Sequence, residues 1–235
     1  MPKILIIRFS SIGDIVLTTP VVRCIKEQSG NAEIHYLTKE QYRPLLTANP
    51  YIQKIFTIRN NVKEVIPQLK REKYDFVVDL HHNLRSMMTR AALLRPSGTF
   101  PKKNIRKWML VSLKIDRMPA VHVVDRYFRA VRKLKITNDG QGLDYFIPEA
   151  DMVHQDTLPK THQEGYLVFI IGARHQTKIL PTEKIISLCR KMDQPVVLIG
   201  GPEDQDRGDA IALASGALVY NVCGRMNINQ SASLR

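Results

Sequence analysis

The chain has 235 residues, 44% of them hydrophobic, which is enough to bury one large core or two modest ones. It contains no run of about 18 apolar residues, so the sequence predicts no membrane-spanning helix, and its start resembles a first strand of a cytosolic fold rather than a signal peptide. Three scattered cysteines without C-x-x-C spacing support neither a disulfide framework nor a zinc site. The net charge of +13 favours anionic partners, namely nucleic acid, an anionic lipid surface or phosphorylated substrates, although a solvated basic face explains it as well.

Apolar runs alternate with helical patterns in the first part of the chain, as is typical of a parallel α/β sheet. The predicted strands are 3–9, 33–38, 52–58 and 74–80. The predicted helices are 15–28, 62–72 and 84–94, followed by two helical pieces within 104–136. Pro20 predicts a kink or a late start in the first helix.

A second alternation follows a polar stretch. Residues 143–148 are predicted to form a closing strand, and residues 151–164 a linker between a first domain (1–150) and a second one (165–235). The predicted elements of the second domain are strands 165–172, 195–200 and 218–222 and helices 181–192 and 203–215. Three strands and two helices make only half of a doubly wound sheet, so we expect one complete and one partial domain.

Four loops follow the carboxyl ends of predicted strands, where open parallel sheets bind their ligands. They are "SSIGD" (10–14), "DLHHNLRS" (79–86), "GARHQTK" (172–178) and "GGPEDQD" (200–206). The first is neither G-x-G-x-x-G nor a P-loop. Gly13 permits a tight turn there, and Ser10, Ser11 and Asp14 can cap the helix that follows. Asp14 also lies where a carboxylate can deprotonate a bound hydroxyl, so cap and general base both remain open.

The stretch "ILIIRFSSIGDIVLTTPVVRCIK" resembles the opening signature of glycosyltransferase family nine, the ADP-heptose:lipopolysaccharide heptosyltransferases. Later segments are also similar to that family: "YDFVVDLHHNLRSMMTRAALL", "HVVDRYFRAVRKL", "GARHQTKILPTEKIISL" and "VLIGGPEDQDRGDAI". The resemblance implies a GT-B fold of two Rossmann-like domains, with the acceptor bound by the first and the nucleotide-sugar by the second. It also implies an inverting, metal-independent transfer with no cofactor, in which Asp14 is the general base.

The donor-binding residues are expected in the second domain. The resemblance makes Lys178 the candidate that offsets the charge of the leaving diphosphate, with Arg174 as a weaker one because the family often has a small hydroxyl residue near that point. Glu203 or Asp204 is expected to bind the ribose, unless the carboxylate only stabilises a helix N-terminus. Met226 matches a position that lines the adenine pocket, or is a plain core residue.

The loop after the fourth predicted strand supplies the acceptor candidates. His81, Asn83 and Arg85 are expected to contact the acceptor together with Ser10, Ser11 and Gly13. Adjacent histidines on an extended segment point in opposite directions, and no further ligand spacing accompanies His81 and His82, so we predict no metal site.

The leading interpretation is therefore transfer of heptose from ADP-heptose to the anionic inner core of lipopolysaccharide, at the cytoplasmic face of the inner membrane, by a protein in peripheral contact with that membrane. The family's later Asp-Thr-Gly-x-x-His motif has no counterpart before "GRMNINQSASLR", so we expect this chain to bind donor poorly and turn over little by itself. The alternative is a basic, non-enzymatic module for RNA or another polyanion, and a catalytically dead family member is a third possibility. The lack of an RNP-like segment and of aromatic-interleaved basic stretches weakens the RNA alternative, so no nucleic-acid partner is expected.

Overall fold

The computed structural model describes residues 1–101, 112–114, 121–173 and 175–234. Contacts divide the chain into two compact units, Met1–Phe146 and Ile147–Arg235. The division falls four residues before the predicted end of the first domain at residue 150. Each unit is described by itself below.

The first unit is built on a five-stranded parallel sheet in the order β3-β2-β1-β4-β5. Its strands are β1 (Lys3–Ile7), β2 (Glu33–Lys39), β3 (Lys54–Ile58), β4 (Phe76–Asp79) and β5 (Ser97–Thr99). The four predicted strands are confirmed, three of them with shorter bounds and β2 one residue longer, whereas β5 was not predicted. β1 and β4 are central and almost wholly buried, which explains their near-continuous apolar sequences.

The helices of the first unit are shorter than predicted. They are α1 (Ile12–Val16), α2 (Thr19–Gln28), α3 (Ile66–Arg71), α4 (Leu84–Leu93) and α5 (Val123–Phe128). The stretch predicted as one helix over 15–28 is two helices, but the late start predicted from Pro20 is confirmed. Pro20 lies in the first turn of α2, where its missing N–H costs nothing. The helix predicted over 62–72 is a 3-10 turn, Val62–Glu64, followed by α3. Of the helical pieces predicted within 104–136, residues 104–111 and 115–120 lie outside the described residues. The later piece is confirmed as α5, which a 3-10 helix over Arg129–Leu134 follows.

The closing strand predicted over 143–148 is also wrong. This stretch contains neither helix nor strand, and buried Arg23 of α2 forms ion pairs with Asp144 inside it and with Asp139 just before it (Nε–Oδ2 2.8 Å). The Asp144 N–H donates to the Thr19 hydroxyl at 2.9 Å. Polar contacts with α2 thus take the place of strand pairing.

The second unit contains a three-stranded parallel sheet in the order β6-β7-β8. Its strands are β6 (Leu167–Ile170), β7 (Val196–Ile199) and β8 (Val219–Asn221), and its helices are α6 (Thr182–Lys191), α7 (Gln205–Ser215) and α8 (Ile228–Ser233). All predicted elements of this unit are confirmed with shorter bounds, and α8 was not predicted. Within the described residues β6 pairs on one side only, and its Leu167 and Ile170 side chains are exposed.

The stretch predicted as a linker, 151–164, is instead part of the second unit. It forms 3-10 turns, of which the one over Lys160–His162 buries His162. The Asp151 carboxylate accepts the side-chain amides of Asn227 and Asn229 at 2.7 and 2.8 Å. These contacts attach the stretch to the last helix of the unit, because its polar residues find partners there rather than in solvent.

Candidate functional site

Two loops leave the same edge of the first sheet side by side. β1 and β4 are parallel neighbours, and Ile7 lies opposite Asp79 at their carboxyl ends. Arg8 donates from Nη1 to the Leu80 carbonyl at 2.6 Å, and the Phe9 ring meets the His81 ring edge-on at 5.1 Å. The structure therefore brings the "SSIGD" loop and the "DLHHNLRS" loop together, as the strand-end argument predicts.

Asp14 is held in place by residues of its own loop. Its Oδ2 forms an ion pair with Arg8 Nη2 at 2.6 Å and accepts the Ser11 hydroxyl at 3.0 Å. The same oxygen accepts the Ser11 N–H at 3.3 Å, which is the reach-back contact of a capping box. The carboxylate thus does cap α1, and its side chain nevertheless stays 39% exposed at the mouth of the sheet.

The surroundings of Asp14 favour its ionised form. Partial burial raises the pKa of this carboxyl, but the Arg8 guanidinium and the two Ser11 donors outweigh burial and leave the pKa below its ordinary value. All described contacts of the carboxylate engage Oδ2, so Oδ1 is the oxygen through which a bound hydroxyl can be reached. A pre-ionised, oriented carboxylate is what a general base requires at neutral pH.

The other predicted residues of this loop have simpler roles. Ser10 offers its carbonyl to Arg8 Nε at 2.6 Å, and Ser11 is exposed. Gly13 lies inside α1 and not in a left-handed turn, and a Cβ added there would meet open space. The tight turn predicted for Gly13 is therefore wrong, because α1 begins before it.

The loop after β4 is organised by Asp79, which the sequence analysis did not single out. Its fully buried carboxylate accepts the N–H groups of His81 (3.0 Å) and His82 (2.7 Å) and the Ser86 hydroxyl (2.8 Å). Asn83 caps α4 by accepting the Ser86 N–H at 2.9 Å. Asp79 thus fixes the position of the acceptor candidates. The sequence feature that could have identified it is a charged residue at the end of an apolar strand.

The sequence analysis did not single out Arg8 either. It is 8% exposed, lies 5.8 Å from the centroid of the Tyr127 ring, and contacts both loops of the edge. Burial raises the pKa of Tyr127, so this ring stays neutral beside the guanidinium. The sequence feature that could have identified Arg8 is its position directly after the apolar run of β1.

Arg85 is an exposed residue of α4, beside the N-cap Asn83. The side chains of the adjacent histidines diverge: His82 has a positive φ and directs Nδ1 to the Phe100 carbonyl at 2.9 Å, whereas His81 packs on Phe9. Among the described residues, the one group with metal-ligating spacing is Glu33, His35 and Glu72.

That group begins at the amino-terminal end of β2, at the opposite edge of the sheet from Asp14. The Lys3 ammonium lies between its two carboxylates, 3.2 Å from Glu33 and 2.9 Å from Glu72. Because a cation of the chain itself neutralises these carboxylates, the group fits an ion-pair cluster better than a metal centre.

In the second unit Arg207 of α7 holds the loop after β6. Its guanidinium donates to the carbonyl oxygens of Ile171 (3.2 Å) and Leu180 and to the Thr182 hydroxyl (3.1 Å). Lys178 lies between these anchor points in an exposed 3-10 turn, Gln176–Lys178. Arg174 lies outside the described residues.

The two acidic candidates of the second unit differ in exposure. Asp204 is 8% exposed; it accepts the Gly201 N–H at 3.0 Å, and its carboxylate fills the space where a Cβ on Gly172 would lie. Asp204 therefore has the capping role that was the alternative to ribose binding, whereas Glu203 is exposed. Met226 is partly buried and packs against the apolar cluster that includes Val197 and Val222.

Comparison with known proteins agrees with this architecture. The model of glycosyltransferase family 9 (heptosyltransferase) matches residues 62–234, well over half of the chain. The chain belongs to glycosyltransferase family 9. Two curated relatives in this family are a lipopolysaccharide heptosyltransferase 1 from Campylobacter coli, 24% identical over 80% of this chain, and a lipopolysaccharide heptosyltransferase 3 from Escherichia coli, 33% identical over 87%.

Solved structures of family 9 show the same fold. A family 9 glycosyltransferase from Veillonella parvula superimposes over 99% of this chain and 72% of its own with a TM-score of 0.79 at 19% identity. The Escherichia coli ADP-heptose heptosyltransferase II covers 99% of this chain and 76% of its own with a TM-score of 0.71, also at 19% identity. The GT-B fold with Rossmann-like units is thereby confirmed. Both superpositions extend beyond the residues of the family match, over almost the whole chain.

The chain spans 60% and 65% of the lengths of the two curated relatives. Family membership supports the transferase interpretation and not the RNA-binding alternative. Among the described residues, no helix is both long and apolar enough to cross a membrane.

Proposed function

We propose that this chain carries the acceptor-binding unit and donor-binding residues of an inverting heptosyltransferase. The substrates are ADP-heptose and the phosphorylated inner core of lipopolysaccharide, and the protein works at the cytoplasmic face of the inner membrane in peripheral contact with it. The observation that carries the proposal is Asp14, an ionised and half-exposed carboxylate that Arg8 and Ser11 orient at the strand edge of a family 9 fold. Several curated relatives are lipopolysaccharide heptosyltransferases, and one solved relative carries ADP.

The reaction uses the two units in different ways. The acceptor hydroxyl gives its proton to Asp14 Oδ1 as its oxygen attacks the anomeric carbon, and the bond from that carbon to the diphosphate breaks with its electron pair on ADP. The acceptor side is lined by residues of the two loops at the edge of the first sheet, namely Ser10, Ser11, Gly13, His81, Asn83 and Arg85. Arg85 is exposed, and its guanidinium suits the phosphates of the inner core.

The donor side is proposed to lie at the carboxyl edge of the second sheet. Lys178 offsets the charge that develops on the diphosphate, with Arg174 beside it in the sequence. Of the two acidic candidates we favour Glu203 for the ribose hydroxyls because it is exposed, while Asp204 holds the Gly201 turn. Met226 contributes an apolar surface for the adenine from the edge of its cluster.

Asp14→Asn tests the general base. Asparagine keeps an oxygen for the Ser11 N–H but cannot take the proton. In a protein that joins this chain to the remaining donor-binding residues of a family 9 relative, we therefore expect transfer from ADP-heptose to heptose-deficient lipopolysaccharide to fall roughly 10²- to 10⁴-fold. The loss of stability should not exceed the roughly 1 kcal/mol of the ion pair between Asp14 and Arg8, and the thermal shift with ADP should not change. Asp193→Asn, at an exposed position of the second unit, is the matched control. Unchanged turnover in Asp14→Asn removes the base assignment.

A thermal-shift screen tests the substrate class. ADP and ADP-heptose are expected to stabilise the protein, and UDP and GDP are not. Lys178→Ala and Glu203→Gln should each weaken the ADP-heptose shift, whereas Lys191→Ala, at an exposed position of α6, should not. Steeply salt-dependent RNA binding without any nucleotide response would contradict the proposal.

A further inference from the structure

The outer face of α4 is apolar where a surface helix is normally polar. Leu84, Met87, Met88 and Ala91 recur at helical spacing and are all exposed, Leu84 at 72%. The inner face instead buries the hydroxyl residues Ser86 and Thr89 completely. The helix thus has the reverse of the usual arrangement, and its apolar stripe has no partner within the described residues.

Basic residues of α3 and of the chain around it flank this stripe. A recess of about 290 Å³ between α3 and α4 is lined by Lys63, Ile66, Pro67 and Met88, among others. A second recess of about 210 Å³, lined in part by Lys70, Lys73, Leu94 and Arg95, continues the same face towards the carboxyl end of α4. The first recess places Lys63 beside Met88 of the stripe, and the second places Lys70, Lys73 and Arg95 beside exposed Leu94 at the end of the same helix.

The charge of this face is strongly one-sided. Residues 62–73 and 84–95 contain seven Lys or Arg against two Glu. Of the two, Glu72 is paired with Lys3 and Lys54, and Glu64 accepts the backbone N–H of Asn61 at 2.7 Å. The surface therefore combines an exposed apolar stripe with an excess of positive charge.

We propose that this α3–α4 face docks the first unit onto an anionic lipid surface. Basic side chains attract anionic headgroups, and the leucine and methionine side chains enter the boundary between headgroups and acyl chains. A second copy of the chain fits poorly, since two such faces would bring like charges together. Single-stranded nucleic acid fits poorly as well, because the stripe offers no aromatic ring on which a base can stack.

The position of α4 gives the docking a consequence for the site. The helix begins at Asn83, in the loop that also carries His81 and lies against the Asp14 loop. Docking through α4 therefore holds the mouth of the first sheet close to the lipid surface, where a lipid-linked acceptor is found. The docking deepens the membrane contact that the proposed function includes, and this consequence rests on the proposed function.

Vesicle co-sedimentation tests the docking directly. The 235-residue protein is mixed with vesicles of phosphatidylglycerol and phosphatidylethanolamine, and separately with phosphatidylcholine vesicles. We expect binding to the anionic vesicles only, weakened by salt. Lys63→Glu with Lys70→Glu should reduce the partition coefficient at least roughly 25-fold, since each basic residue near the surface contributes about fivefold. Leu84→Ser with Met87→Ser and Met88→Ser should reduce it about tenfold or more.

Matched controls lie in the second unit. Lys184→Glu with Lys191→Glu makes the same change in net charge on α6, and Leu213→Ser changes a leucine on α7 that is still more exposed than Leu84. Both controls should bind within about twofold of wild type. Equal losses in controls and α3–α4 variants, or no binding of wild type to anionic vesicles, would overturn the proposal. Self-association that the triple serine variant abolishes, without vesicle binding, would assign the face to a second copy.

A depth measurement keeps the proposal testable if the triple variant does not fold. The three native cysteines are buried, so a nitroxide on Met88→Cys reports one position, and one on Leu213→Cys serves as the reference. On anionic vesicles the first label should become more accessible to oxygen than to a water-soluble nickel chelate, and the second should not. The same accessibility for both labels contradicts the docking. The nucleotide screen tests the proposed function without vesicles, so the two failures are distinguishable.

Discussion

Arg8→Met removes the side chain that joins the two loops of the candidate acceptor site. The guanidinium makes three contacts of 2.6 Å, to the carbonyl oxygens of Leu80 and Ser10 and to the Asp14 carboxylate. Methionine keeps an apolar stem of similar length, so the replacement removes the charge and the hydrogen bonds with little loss of packing. Two consequences follow, one for stability and one for Asp14.

The expected loss of stability can be worked out contact by contact. A hydrogen bond from a charged donor contributes about 1.5 to 3 kcal/mol, so the two bonds to carbonyl oxygens contribute about 3 to 6 kcal/mol. The Asp14 ion pair adds at most about 1 kcal/mol, because a side chain that is 39% exposed is screened by solvent. Retained packing beside Tyr127 offsets part of this loss. We expect the free energy of unfolding to fall by about 3 to 5 kcal/mol, a large share of a typical total.

The second consequence is a change in the titration of Asp14. Without Arg8, the partial burial that raises the pKa of this carboxyl is opposed only by Ser11, so the pKa should rise. Carboxyl carbon shifts measured by NMR as a function of pH report this pKa, and urea unfolding followed by circular dichroism reports the stability. Arg43→Met, at an exposed position, is the control and should change stability by less than about 0.5 kcal/mol. A loss below about 1 kcal/mol in Arg8→Met, with an unchanged Asp14 titration, would refute the reasoning.

Three further predictions concern other parts of the chain. Gly13→Ala should raise the stability of the first unit by about 0.5 to 1 kcal/mol in urea unfolding, because its Cβ meets open space in a helix; a loss of stability would contradict this. Hydrogen bonds from Lys54 and Lys3 lower the pKa of Glu72 to about 2 from an ordinary 4.5. The ionised Glu72 carboxylate therefore contributes its full stabilisation above pH 4.5, and this contribution is lost as the pH falls towards 2. Glu72→Gln should therefore reduce the decline in unfolding free energy over that window by about 1 to 2 kcal/mol, and an unchanged decline would exclude this role. Ile170→Lys places a charge on the strand at the open edge of the second sheet, so it should raise the protein concentration at which light scattering detects aggregates. Leu213→Lys on α7 is the control and should not raise it. Equal effects of the two variants would mean that only the net charge matters.

The sequence predicted the strands better than the helices. β1 and β7 are continuous apolar runs because both faces of their sheets are covered, and such runs can be recognised without knowing their neighbours. β5 was missed because Ser97–Thr99 has three residues without a hydrophobic pattern, and only its pairing with β4 makes it a strand. Residues 143–148 are the opposite case, because they have the pattern of a strand but do not form one. The ion pairs of Asp139 and Asp144 with Arg23 attach this part of the chain to α2 instead.

The candidate site divides in a similar way. Asp14, Ser11 and Asn83 were found from the sequence because capping residues and strand-end loops have local signatures. Arg8 was not found because its Leu80 partner lies 72 residues away. Asp79 was not found although its partners are local, because the sequence does not show that its carboxylate is fully buried and turns back onto the N–H groups of His81 and His82. The choice between Glu203 and Asp204 as the ribose-binding residue also needed the structure, because the two carboxylates differ in exposure and not in chemistry.

The sequence by itself thus determined the parallel α/β class, the family resemblance and the loop that carries Asp14, because hydrophobic periodicity and short motifs are local properties of the chain. Tertiary structure decided which loops meet, which carboxylates are already used as caps, and which face of α4 is exposed. The outer stripe of that helix shows the physical reason. Leu84, Met87 and Met88 have the pattern of a buried face, and only the packing of Ser86 and Thr89 against the protein shows that this stripe faces outward.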